Sequence, residues 1–490
     1  MKKPITKSIY LDGKRCPRLL AYKLMGQSLG EYSGNDFKDF LAKQGKCLGL
    51  QAQELFKGQF CVTVSEKYIP LAVIETQKTL LKAEILFEGA FESDGLVTRP
   101  DILDLRRNDL IEVKSTTEIN EEHILDVAFQ KLVLSKVAPQ IKSFKLAHIN
   151  KQYVFDAALN IANFFTITDV TEVVAEKISK MERELEDIRR LIENNIFPPR
   201  EIGQHCIGET ECPYKIVCWG DYAEDTIFNL RRDISGKKYL LHKEGIRSLN
   251  NIPESVTLTK YQALQREAEI QNCPIINQFL ITEALHEVTY PIFFLDFKSF
   301  CEAIPRYPKT SPYQQISFQA SLHVLGGLKQ KLRHYSFLHT EDSDPRKSLA
   351  CFLLDVLGEQ GSIITYHASF EVGRLFELIK VIPSKEAEIL ALIERIWDLE
   401  MIFDKGLYAH KDFKGSTSIK KVLSVLCPEL SYDDLEITNG ALASIQYLKM
   451  ISPNITKEEK LQIKTNLELY CKQDSYAMYA IFKKLIKEVL

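Results

Sequence analysis

The stretch PDILDLRRNDLIEVKST, residues 100–116, decides how the first half of the chain is read. Asp101 stands near the start of one β-patterned run, and Glu112 and Lys114 lie two apart on the next, with the turn-forming Arg107-Asn108-Asp109 between the runs. Side chains alternate faces along a strand, so Glu112 and Lys114 share a face, and a hairpin sets Asp101 alongside Glu112. Two carboxylates so placed form a hard, oxygen-rich pocket of the kind Mg²⁺ or Mn²⁺ takes. A neighbouring ammonium can orient a water and offset the charge that builds on a phosphoryl group. The chemistry that suits these residues is metal-dependent phosphodiester hydrolysis. The bland alternative is an ion pair on an exposed strand face.

On either side of this stretch, Ile85–Glu92, Leu96–Leu105 and Leu110–Ser115 read as three short strands, and the turn pair Asp94-Gly95 makes them an antiparallel meander. A helix over Glu121–Val137, a strand over Ile141–Ile149 and a charged helix over Val170–Asn195 follow. The last carries the Glu/Lys/Arg alternation of a solvated face. Residues 1–220 form the first region. Residues 221–285 are a helical linker, in which LLHKEGIRSLNNIPES (240–255) has the pattern of half a helix-hairpin-helix. Residues 286–490 open with a strand at Tyr290–Phe297, continue with β-runs at Gln315–Val324 and Arg333–Leu338, alternate helix and strand, and end in a helix from about Lys457 to Leu490. The expected fold class is α/β (α+β), with mixed sheets flanked by helices.

Composition bounds the partners. The chain has 490 residues, 45% hydrophobic and 26% charged, with a net charge of -3, as in a soluble globular protein of two or three domains. Contact with nucleic acid needs only a local basic surface, so this balance does not exclude it. No run approaches ~18 apolar residues, and the first residues lack an apolar signal core, so the cytoplasm is expected and a membrane is not. The cysteines number 11, an odd count that favours reduced thiols or metal ligands over a disulfide framework. Cys206, Cys212 and Cys218 lie in HCIGETECPYKIVCW, with Cys16 far upstream in GKRCPRLLAYK. Four soft thiolates suit an iron–sulfur cluster or a structural zinc, although the spacing is neither a simple zinc nor a ferredoxin pattern, and buried thiols are the alternative.

Pro100-Asp101 with Glu112-Val113-Lys114 resembles the motif of the PD-(D/E)XK nuclease superfamily, and the helix carrying Gln130 resembles the glutamine motif of its RecB-like branch. That branch has a tyrosine soon after the glutamine; here Leu132, Val133 and Leu134 stand instead. The resemblance implies a restriction-endonuclease-like domain, Gln130 as a catalytic-motif residue, and metal contacts from Glu88, Asp101, Glu112 and the Val113 position. One cysteine leading the domain and three closing it is the layout of RecB-like nucleases with a four-cysteine [4Fe-4S] cluster, which would tie the domain's ends together. The substrate implied is DNA, single-stranded or with free ends, in repair or in defence against foreign DNA.

Three later stretches look like the motifs of DEDD 3′–5′ exonucleases, which have an RNase H-like fold: FFLDFKSF with Asp296, YHASFEVGRL with Glu371, and YCKQDSYAM with Tyr470 and Asp474. In that resemblance the three acids bind metal and Tyr470 positions the attacking water. The first motif ordinarily reads Asp-x-Glu, whereas this chain has Asp296-Phe297-Lys298, and a wider family has aspartate where Glu371 stands. Lys298 points to the same face as Asp296 and sets a cation in a site meant for cations, so this centre is expected to be impaired. Nearly the whole length also resembles domain of unknown function 2779, which joins the two kinds of domain; SPYQQISFQASLHVL, KGSTSIKKVL and LSYDDLEITNG carry that likeness. The reading from a different class is a non-catalytic nucleic-acid-binding scaffold whose protein partners do the chemistry.

Overall fold

The computed structural model describes residues 4–26, 35–199, 201–208, 211–327 and 329–489. The chain is mixed α/β and divides into two compact units, Met1–Trp219 with Glu302–Gln314, and Gly220–Cys301 with Gln315–Leu490. Residues 220–285 therefore group with the second unit, and a short segment of the later chain groups with the first.

The first unit is built on a six-stranded sheet whose order is Cys61–Thr63, Ile85–Phe87, Ile102–Asp104, Asp109–Lys114, Ser143–Ile149 and Phe165–Asp169. Asp109–Lys114 and Ser143–Ile149 are parallel, and the helix Glu121–Val137 makes the crossover between them. Asn120 begins that helix by accepting from His123 N–H at 3.0 Å, while the His123 ring accepts from Asn120 N–H. The pleat then sorts the apolar residues. Ile85, Phe87, Ile102, Ile111, Ala147 and Ile149 pack on one face with Leu48 and Ala52 of the helix Asn35–Gln53. Leu86, Leu103, Leu110 and Leu146 pack on the other with Phe129, whose complete burial contributes about 1.5–3 kcal/mol. Glu112 and Lys114 continue the face of Leu110, so they point at the crossover helix.

The expected meander is split. Glu88 turns left-handed at φ 55 and ends the strand Ile85–Phe87, and Pro100 parts Leu96–Thr98 from Ile102–Asp104. Phe91–Ser93 and Leu96–Thr98 form a hairpin over Asp94 and Gly95, both at positive φ, and join Ile5–Thr6 in a separate three-stranded sheet. Backbone conformation at Glu88 and Pro100, which the alternating pattern does not encode, divides two runs into four strands.

The second unit holds a five-stranded sheet in the order Arg333–Leu338, Ile316–Leu325, Ile292–Phe300, Ser362–Thr365 and Ile396–Asp398. The first three are antiparallel, and the last two run parallel to Ile292–Phe300. The helix Lys457–Val489 lies on this sheet, burying Tyr470, Asp474 and Met478. In the helical stretch before it, Gly245 N–H donates to His242 C=O and Ile246 N–H to Leu241 C=O, both at 3.0 Å, so the Gly-Ile pair closes the helix Lys237–Lys243. Among the described residues no helix is long and apolar enough to cross a membrane.

Candidate functional site

On the face of the sheet that meets the crossover helix, Asp101, Glu112, Lys114 and Gln130 come together. Asp101 Oδ2 accepts from Val113 N–H at 2.7 Å, so Val113 contributes through its backbone and fixes Asp101 beside Glu112. Glu112 uses both oxygens: Oε1 accepts from Lys114 Nζ and Oε2 from Gln130 Nε2, each at 2.8 Å. Gln130 Nε2 is also 3.1 Å from Asp126 Oδ1, and Lys114 bonds Asp126 Oδ2. The result is a closed ring of Glu112, Lys114, Asp126 and Gln130. Lys7 reaches the same Asp126 Oδ2 at 2.7 Å.

Sequence reading did not single out Asp126 or Lys7. A signal for Asp126 existed: it is the one charge in Ile124–Phe129, an apolar run, one helical turn before Gln130. Lys7 has no such signal, because it arrives from 119 residues away.

Burial pushes both Asp101 and Glu112 above the usual carboxylate range; the field of Asp101 adds to it at Glu112, and those of Glu88 and Asp126 add to it at Asp101. Burial also opposes the charge on Asp126, but Lys114 and then Lys7 outweigh it and hold Asp126 down at about 2. Lys114 is likewise disfavoured by burial, yet Glu112 and Asp126 keep it firmly protonated. Glu88 sits at the rim, half-buried and pushed up by burial, with Arg99 Nε at 3.3 Å from its carboxylate. Two buried acids raised above the usual carboxylate range, and a buried Gln130 Oε1 with no hydrogen-bond partner, describe a pocket whose donors fit a hard cation. Among the described residues, no three His, Cys, Asp or Glu side chains enclose a single metal ion as they stand. At Glu112 the cation in contact is Lys114 itself.

Cys16, Cys206, Cys212 and Cys218 line one recess, alongside Arg15 and Arg18. Pro17 places Cys16 there: it breaks the chain into the helices Lys7–Arg15 and Pro17–Leu24, with an extended Cys16 between them. Cys212 N–H donates to Cys206 C=O at 2.7 Å, folding the second cysteine back on the first. Arg15 Nε donates to His205 C=O at 2.8 Å and anchors the two ends of the domain to each other. Burial raises the Cys212 and Cys218 thiols, while Arg15 and Arg18 respectively pull them down. Four cysteine sulfurs beside two guanidinium groups are a donor set that fits a net-negative metal–sulfur group. No disulfide forms among the described residues.

In the second unit, Asp296, Glu371, Tyr470 and Asp474 also converge, with Lys298 at their centre. Lys298 Nζ lies 2.8 Å from Asp296 Oδ2 and 2.5 Å from Asp474 Oδ2, and 4.6 Å from the centre of the Tyr470 ring. The other Asp474 oxygen accepts from Tyr432 OH at 2.7 Å, and Cys471 Sγ is 3.2 Å from Asp296 Oδ2. Tyr432 and Cys471 were not foreseen. Burial raises Asp296 to about 6 against the pull of Lys298. Burial and the field of Asp296 raise Glu371 to about 8, and its buried Oε2 has no hydrogen-bond partner. The ammonium therefore stands between two of the three acids.

The family described as Domain of unknown function (DUF2779) matches residues 293–418, which carry Asp296, Lys298 and Glu371. The chain is similar to the Uncharacterized protein MG366 homolog of Mycoplasma pneumoniae, 28% identical over 285 residues, 54% of this chain and 42% of that protein. It is also similar to the Uncharacterized protein UU173 of Ureaplasma parvum, 22% identical over 601 aligned positions, 94% of this chain and 86% of that one. The Uncharacterized protein MG366 of Mycoplasma genitalium is 26% identical over 206 residues, 38% of this chain and 31% of its own length. The chain thus matches under half of two of these three relatives. No solved structure matches.

Proposed function

We propose that the first unit is a metal-dependent nuclease of the PD-(D/E)XK, RecB-like kind, acting on DNA that is single-stranded or has free ends. One observation carries it: Glu112, Lys114 and Gln130, from one strand and the crossover helix that follows it, share a hydrogen-bonded ring, and the Val113 N–H holds Asp101 beside that ring. A bound Mg²⁺ or Mn²⁺ would polarise the phosphoryl oxygen and lower the pKa of a water. Asp101 and Glu112 would hold the ion, with Glu88 at the rim. Lys114 would exchange Glu112 for the attacking water and offset charge on the phosphate. Gln130 keeps Glu112 from turning away. The four-cysteine recess supports a [4Fe-4S] cluster, with structural zinc as the other occupant its donors would accept. Eleven cysteines without a disulfide suit a reducing, cytoplasmic setting.

The sheet order of the second unit, three antiparallel strands followed by two parallel ones, supports an RNase H-like domain. Its DEDD-type centre is closed by Lys298, which favours a nucleic-acid-binding scaffold over an exonuclease in this half. The test is cleavage of end-labelled single- and double-stranded DNA by anaerobically purified protein with Mn²⁺. Asp101→Ala and Lys114→Ala should each abolish cutting; undiminished cutting by both removes the assignment.

A further inference from the structure

We infer that Asp126 and Lys7 are positioning residues that draw Lys114 off Glu112, so that Glu112 can take a divalent cation. The inference rests on the nuclease reading of this site and extends it to two residues outside the motif.

The geometry poses a conflict that Asp126 resolves. Both Glu112 oxygens are engaged, one by Lys114 and one by Gln130. A cation bound between Asp101 and Glu112 has to displace one of them, and repulsion between cations selects Lys114. A lysine expelled from Glu112 into a buried pocket needs another anion. Asp126 supplies it, since Lys114 already bonds Asp126 Oδ2. Asp126 is only 3% exposed in a helical stretch whose neighbours Ile124, Leu125, Val127 and Phe129 are buried too, where an unpaired carboxylate would be heavily penalised. Its second oxygen also accepts from Gln130, so the same residue steadies both groups that touch Glu112.

Lys7 completes the device. Its ammonium shares Asp126 Oδ2 with Lys114, which fixes the carboxylate and keeps it charged. Lys7 begins the helix Lys7–Arg15, which is held at its start by Thr6 and clamped to the helix Thr171–Asn194 by the Tyr10–Glu184 hydrogen bond. Gly13 lets that helix lie close, because a Cβ there would meet Ile188 Cδ1 at 2.8 Å. Lys7 is thus delivered by packed structure.

The test uses the full chain and reads Mn²⁺ affinity by electron paramagnetic resonance titration beside kcat on end-labelled single-stranded DNA. Asp126→Asn should weaken Mn²⁺ binding and lower kcat, each about 10–100-fold, because Lys114 falls back on Glu112. Lys7→Met should do the same a few-fold, and Lys7→Arg should sit near wild type. The deciding variant is Lys114→Ala/Asp126→Asn, in which no ammonium competes and Mn²⁺ affinity should return to at least the wild-type value. Mn²⁺ binding in the double variant as weak as in Asp126→Asn alone would mean a merely structural role and overturn the inference. So would Asp126→Asn and Lys7→Met proteins that bind Mn²⁺ and cut like wild type while Asp101→Ala does not cut, which leaves the nuclease reading standing. Wild-type protein that neither binds Mn²⁺ nor cuts overturns both.

Discussion

Replacing Lys298 with methionine removes the ammonium that joins Asp296 to Asp474 while nearly keeping its volume. The pair is deeply buried, with side chains 9% exposed for Lys298 and 7% for Asp474, so solvent screens it little. Removing one partner of a buried ion pair costs about 3–5 kcal/mol, and here it strands two carboxylates together. At about 2–4 °C per kcal/mol for a unit of this size, the melting temperature of the second unit should fall by roughly 10 °C at neutral pH. The loss should shrink in acid. Asp296 is already raised to about 6, and without Lys298 it rises further. A group whose folded pKa is raised weakens the fold as pH climbs through that value and ceases to do so below the unfolded value near 3.9. Mn²⁺ should return part of the stability, about 2.7 kcal/mol at a hundredfold excess over its dissociation constant, by occupying the vacated position. Differential scanning fluorimetry of wild type and Lys298→Met, at about pH 7.5 and pH 5 and with or without Mn²⁺, reads all three effects. Equal melting of the two proteins at pH 7.5 would refute the bridging role.

Three further outcomes are expected. Glu371→Gln should gain on wild type as pH rises from about 4.5 to about 8, reaching on the order of 4 kcal/mol, because burial raises the Glu371 carboxyl to about 8 and wild type must give up that proton; urea melts across this range check it. Tyr432→Phe should cost about 2 kcal/mol by taking a hydrogen bond from the buried Asp474 carboxylate, and Lys298→Met should make that cost smaller in a double-mutant cycle. Anaerobic protein should carry iron with acid-labile sulfide, lost in Cys212→Ala and kept in Cys351→Ala; zinc without iron would assign the recess to zinc instead.

The local patterns were the legible part of the chain. The helix Glu121–Val137 and the strand Arg333–Leu338 stand where periodicity put them, since each is set by its own residues. The split of the meander was not legible, because it depends on the left-handed turn at Glu88 and on pairing with Ile5–Thr6, nearly a hundred positions away in sequence. The shared face of Glu112 and Lys114 follows from strand alternation alone. Asp126 and Lys7 needed the tertiary fold to reveal them. At Lys298 the sequence showed the direction of the side chain, and the structure adds that its charge is answered by two carboxylates at once. The repulsion of a metal and the attraction of Asp296 and Asp474 are one electrostatic fact seen from two sides.

The segment Glu302–Gln314 belongs to the first unit although the chain reaches it only after a long excursion. Ala303 N–H donates to Gln44, Thr310 C=O accepts from Phe155 N–H, and Tyr313 OH bonds Ser115 C=O, next to Lys114. A fragment stopped at residue 219 would therefore be missing a plank of its own wall. Ribosomes make Gly220–Cys301 of the second unit, 82 residues, before they reach this piece, so a message truncated in that interval yields a first unit with one side left open.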